Sequence, residues 1–262
     1  MASGSSSKAA RGARASVVAR RSTPWGTIAA VLVVVLFAGG IFGYAFVQNR
    51  AKTQAAEALA KFTPSATNQD PSSQIQGVVT QPYAGGQHVT PDQKVAYTHS
   101  PPFGGAHDGY WAACNGVVYP QAVRTENLVH SLEHGAIWIA YNPDQVSGAA
   151  LDTLKAKVDG ERYTVMSPYP GLDTPVSLQS WGHQLKLTDA NDPRVDQFIS
   201  ALRQNQYQHP EVGASCDATG PGAFDQDNPP PFVPAPAVGS PGAEPEVSNT
   251  PQTVAPDAAP AR

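Results

Sequence analysis

From Trp25 to Val47 the chain runs for 23 residues, WGTIAAVLVVVLFAGGIFGYAFV, without one charged side chain. A helix rises about 1.5 Å per residue, so such a run crosses a hydrocarbon core of roughly 30 Å. The stretch predicts a transmembrane helix over 25–47 and assigns everything else to one side or the other. Lys8, Arg11, Arg14, Arg20 and Arg21 precede it with no acid among them, whereas Arg50, Lys52 and Lys61 follow it together with Glu57. The positive-inside rule then keeps the N-terminus in the cytoplasm and places the rest of the chain outside it. A cleaved signal peptide is the competing reading of a basic arm and an apolar run. The run is longer than the usual apolar core of about 7 to 15 residues and no A-x-A site follows at once, which favours a retained single-pass anchor in the cell membrane.

Away from the anchor, composition divides the chain further. Residues 1–24, rich in Ser, Ala and Arg, read as a disordered cytoplasmic arm whose charge suits an anionic inner leaflet. Residues 48–78 read as a helical extension and tether, since QNRAKTQAAEALAKF is made of good helix formers up to Pro64 and a polar stretch follows. At the far end, residues 220–262 hold 11 of the 25 prolines and few large apolar side chains, so 218–262 is expected to be a disordered tail. Its PPPFVPAPA segment favours polyproline II, as a spacer or as a ligand for an envelope protein partner. Gly39 and Gly43 have the G-x-x-x-G spacing that permits weak helix-mediated self-association. Net charge is −4, and no basic stripe with interleaved aromatics lies outside the membrane, so nothing points to nucleic acid.

What remains, 79–217, is the extracytoplasmic domain. Its first third, through Tyr119, has neither helical nor strand period and predicts loops with short strands. A short helix is expected over 126–133, with Thr125 as N-cap and Gly135 in the left-handed position that ends it. Then AIWIAY (136–141) predicts a buried strand, and 145–158 a helix carrying Leu151, Leu154 and Val158 on one face. Strands follow over 163–169 and 176–181, the second turning through Gly182 and His183 into QLKLT as a hairpin. Residues 193–204 form an amphipathic helix, with Asp192 as cap and Pro193 at its first position. Strand, helix, strand, strand, helix after a loop-rich start makes this a small α+β domain.

Only two cysteines occur, Cys114 and Cys216, both on the exported side. An intrachain disulfide is the favoured account, since thiols outside the cytoplasm are usually oxidised. The alternative, free thiols serving as metal ligands or redox centres, lacks a C-x-x-C spacing.

The sharpest chemical pattern is His130-Ser-Leu-Glu133-His134-Gly135. Residues four apart stack on one helical face, so His130 and His134 can share a metal ion. His107, in SPPFGGAHDG, is the natural third ligand, because Gly104 and Gly105 let that loop approach another backbone closely; His99 and Asp108 stand in reserve. Nitrogen and oxygen donors suit zinc or copper(II). In the other account the two imidazoles bond to backbone and pack the helix end, where a charged ring suits the dipole. H-x-x-E-H is also the spelling of a metalloprotease motif in which the glutamate, here Glu133, acts on metal-bound water. Gly135 stops the helix too early for that fold, and the downstream acids Glu161 and Glu211 lie in a turn and in the terminal segment. His88, His183 and His209 read as surface or turn histidines.

The segments SPPFGGAHDGYW, VHSLEHGAIWIAYNP and SPYPGLDTPVSLQSWGHQLKL, with Cys216 after Pro210 and Glu211, together resemble the DUF3105 domain of actinobacterial membrane proteins over about 79–217. The resemblance implies that Cys114 and Cys216 are the family's cysteine pair and that His107, His130, Glu133, His134 and Gly135 fall on its motif positions. Ala106 departs from the pattern, which has proline before the histidine. The resemblance carries no activity. Three functions are therefore expected in order: a membrane-anchored, non-enzymatic domain holding a transition metal; an envelope interaction module with structural histidines; and a metal-dependent hydrolase.

Overall fold

The computed structural model describes residues 24–247, which form two compact units divided between Ala55 and Ala56. The expected cytoplasmic arm, Pro24 excepted, and 248–262 of the expected tail lie outside the described residues. Helix α1, Trp25–Leu59, is apolar on every side over its first 23 residues: the consecutive residues Leu32, Val33, Val34, Val35, Leu36 and Phe37 are all exposed. That stretch has no face suited to water. Among the described residues it is the one helix long and apolar enough to cross a membrane.

The second unit is a mixed α/β domain. In chain order it contains β1 Val79–Thr80, β2 His88–Val89, β3 Val95–Ala96, β4 His107–Asp108, β5 Asn115–Val118, α2 Thr125–Glu133, β6 Ile137–Tyr141, α3 Gly148–Lys155, β7 Thr164–Pro168, β8 Val176–Ser180, β9 His183–Leu187, α4 Arg194–Leu202 and β10 Glu244–Pro245. Six strands make the central sheet in the order β1-β9-β8-β6-β7-β5. Strands β5, β6 and β7 are parallel, while β8, β9 and β1 add antiparallel.

The order explains the layers. The connection from β5 through α2 to β6 crosses the sheet one way, and that from β6 through α3 to β7 crosses back. Crossovers of one hand running in opposite directions lie on opposite faces. Burial agrees: Leu128, Val129 and Leu132 of α2 share a core with Trp138, Ala140 and Val165, whereas Leu154 of α3 and Phe198 of α4 share the other with Ile137, Ile139 and Met166. Alternate residues of β6 thus face different cores, which is why AIWIAY is apolar throughout.

Local signals account for most element ends. Gly135 takes φ +85° just past α2, and its N–H bonds to Leu132 O. Asp192 accepts the Arg194 N–H at 2.9 Å ahead of α4, and Pro193 already has helical angles. Two details differ from expectation. Thr125 lies inside α2 and Arg124 takes the cap position, because Arg124 has extended backbone angles and its carbonyl accepts the Asn127 N–H. The β8–β9 turn is made by Trp181 and Gly182, with His183 already in the ladder opposite Ser180.

Two longer stretches also differ. The expected tether is packed: Phe62 and Ile75 are 2% and 4% exposed. Polar composition hid two apolar anchors there. The expected tail is ordered through residue 247. Phe224 is fully buried, Phe232 stacks edge-on against Tyr169, and Pro231 bridges to Val123. Beyond them β10 runs parallel to β3. Glu246 then seats its carboxylate on the Tyr83 hydroxyl, the Thr98 N–H and the Thr98 hydroxyl, while its carbonyl accepts the Ala106 N–H at 2.8 Å. Proline reduces the entropy that a strap loses on docking, so a few anchors suffice to hold it.

Candidate metal centre

Helix α2 supplies the core of the site. Its His130 and Glu133, three residues apart, lie on neighbouring positions of one face. The short ribbon of β2 and β4 is laid against them. It is parallel, with His88 directly opposite His107, so the two imidazoles emerge side by side. The ring centroids of His88, His107 and His130 lie 4.8 to 5.0 Å from one another. Glu133 Oε2 is 2.7 Å from His107 Nε2 and 3.7 Å from His88 Nε2. One ligand atom from each of the four residues falls within 4.8 Å of every other.

Backbone carbonyls set the ring orientations. His107 Nδ1 lies 2.7 Å from Gly105 O, and His130 Nδ1 lies 2.6 Å from Asp108 O. A carbonyl only accepts, so each Nδ1 carries the hydrogen and each Nε2 keeps its lone pair for the cluster. This is how proteins commonly orient metal-ligating histidines. Gly105 (φ +91°) permits the arrangement by close approach, since a Cβ there would stand 2.5 Å from Glu246 O. Asp108 is held in turn by Arg124, which also contacts Glu126 and donates to Gln93 O, and by the Tyr110 N–H.

The charges are matched to a cation. Burial alone would push the Glu133 carboxyl up, but the adjacent His107 and His88 rings and the hydrogen bond from the Gly86 N–H hold it far below the carboxylate range. Burial, reinforced by neighbouring His107 and His134, pushes His130 well below the usual imidazole value, so it stays neutral. His107 Nε2, with its hydrogen on Nδ1, faces a carboxylate oxygen at 2.7 Å. Two lone pairs meet there, and a proton or a metal cation must lie between them. Three imidazole nitrogens and one carboxylate oxygen form a donor set suited to zinc or another divalent transition metal.

His134 lies on the far side of His130, at 4.6 Å between centroids. Its Nδ1 donates to Ser215 O at 2.6 Å, and its Nε2 is 3.0 Å from Glu211. His130, His134 and Glu211 make a second group of potential ligands, and Trp111 covers both rings. Of the reserves, Asp108 has its carboxylate engaged, and His99 sits beside Thr98 and Phe103. His183 and His209 are buried, bonding to Trp181 O and Glu133 O. Cys114 and Cys216 form a disulfide, which leaves no free thiol to act as a ligand.

Motif spacing gave no reason to choose His88, 42 positions before His130. A usable signal did exist: Gly85-Gly86-Gln87-His88 repeats the G-G-x-H pattern of Gly104-Gly105-Ala106-His107. Each copy leads into one of the two strands that pair, its histidine being the first residue of the strand.

Fold and site thus define a mixed α/β domain built around a buried histidine–glutamate cluster and closed by a disulfide. The model of one family, described as a protein of unknown function (DUF3105), matches residues 88–218, half of the chain, and the chain belongs to that family. The matched segment begins at His88 and ends two residues past Cys216, so it holds the whole cluster and both cysteines. Comparison with the curated proteins and with the solved structures gives no match.

Proposed function

We propose that the protein is a membrane-anchored metal-binding protein, its domain outside the cytoplasm, holding one divalent transition ion through His88, His107, His130 and Glu133. The observation that carries this is the 2.7 Å approach of His107 Nε2 to Glu133 Oε2 inside a cluster in which the Nδ1 hydrogens of His107 and His130 are committed to carbonyls. Zinc fits the donor set best, with copper(II) as the alternative ion. The orientation is supported by the basic arm ahead of α1, and the oxidising compartment by the Cys114–Cys216 disulfide.

The test is metal analysis of the full chain purified in detergent at neutral pH and reconstituted with zinc. About one equivalent is expected in the wild type, and Glu133→Gln should weaken retention by more than the 10- to 100-fold typical of losing an outer partner. Less than about 0.1 equivalent in the wild type overturns the assignment.

A further inference from the structure

His130 belongs to two groups of ligands at once: with His88, His107 and Glu133 on one side, and with His134 and Glu211 on the other. Its Nδ1 is bound to Asp108 O, so a single lone pair, on Nε2, is left for both. One neutral imidazole nitrogen binds one ion, and the two groups therefore cannot be filled together through His130.

The groups differ in kind. The inner one has four protein ligands, with Glu133 and His107 fully buried, which is the closed pattern of a structural site. The outer one has three, and Glu211 is 34% exposed, which leaves coordination positions for water. The outer group is also braced. Ser215, the acceptor for His134 Nδ1, precedes Cys216 of the disulfide, and the Glu211 N–H donates to Glu133 O at 3.2 Å.

We infer that His130, His134 and Glu211 form a second metal position, a loading site at which a divalent transition ion first binds with water still attached before passing to the inner four ligands. His130 Nε2 stays on the ion throughout. His134, Glu211 and water leave as His88, His107 and Glu133 arrive, each lone pair lost being replaced by another, and the proton shared by His107 Nε2 and Glu133 is exchanged through water for the one taken up between the vacated His134 Nε2 and Glu211. The inference rests on the metal-binding function proposed above and adds the route of entry.

Stopped-flow uptake of cobalt(II) by the metal-free full chain in detergent tests it, read in the visible ligand-field bands. Wild type should bind one cobalt in two phases. Glu211→Gln, at a partly exposed position, should slow uptake about tenfold and leave the final spectrum and stoichiometry unchanged. Glu133→Gln should keep the fast phase alone, with cobalt readily stripped by EDTA; should that buried substitution fail to fold, Glu211→Gln decides by itself. Unchanged uptake in Glu211→Gln, an altered final spectrum in that variant, or two cobalt ions bound by wild type overturns the loading site while leaving the metal-binding function standing. No cobalt bound by wild type overturns both.

Discussion

Arg124 shows how the centre depends on a residue that is not one of its ligands. The guanidinium is 4% exposed and holds Asp108 and Glu126, and the Asp108 carbonyl orients His130. Removing one member of a buried charged pair strands the other, at a cost of about 3–5 kcal/mol. Arg124→Met should lower the urea unfolding free energy by that amount and weaken zinc retention as well. Unaltered zinc affinity in a folded variant would separate the ion pair from the metal centre.

At the scale of elements, α2 is defined by its end. Gly135 lets the chain turn at φ +85°, and a Cβ there would stand 2.7 Å from both Gln204 Nε2 and His209 Nε2. Gly135→Ala should therefore cost more than the roughly 1–3 kcal/mol of backbone strain alone. Gly148→Ala serves as the comparison, since Gly148 also has positive φ but has open space around it. Equal unfolding midpoints for the two variants would remove the packing contribution. This turn was legible in the sequence, as were β6, the β8–β9 hairpin and the cap of α4, because each is set by residues within a few positions of it. The β2–β4 ribbon was not. Two residues per strand carry no period, and each pairs with a residue 19 positions away.

Over the whole molecule, two long-range ties close the domain. The disulfide joins positions 102 apart, and its reduction should cost about 2–4 kcal/mol, mostly by freeing the unfolded chain. Urea denaturation with and without reductant measures this. The second tie is the strap after residue 218, which lies beyond the family match and reaches the His107 loop through Glu246. Phe224 is its fully buried anchor. Phe224→Ala should destabilise by about 3–5 kcal/mol, as for a core phenylalanine. No change would mean that the segment does not pack in solution.

Sequence by itself determined what depends on composition or on near neighbours: an apolar run able to cross a membrane, the main helices and strands, and the i, i+3 and i, i+4 spacing on α2. It also pointed to His107 and His130. Only the tertiary structure decided which side chains meet: that His88 stands beside His107, that Glu133 turns into the cluster, that His134 pairs with Glu211, and that a proline-rich tail becomes a strap. The physical reason is that local torsions and periodicity are encoded within a turn or two of chain. A buried polar cluster is assembled by register and loop closure between segments up to 123 residues apart, counted from His88 to Glu211, and no local pattern records that closure.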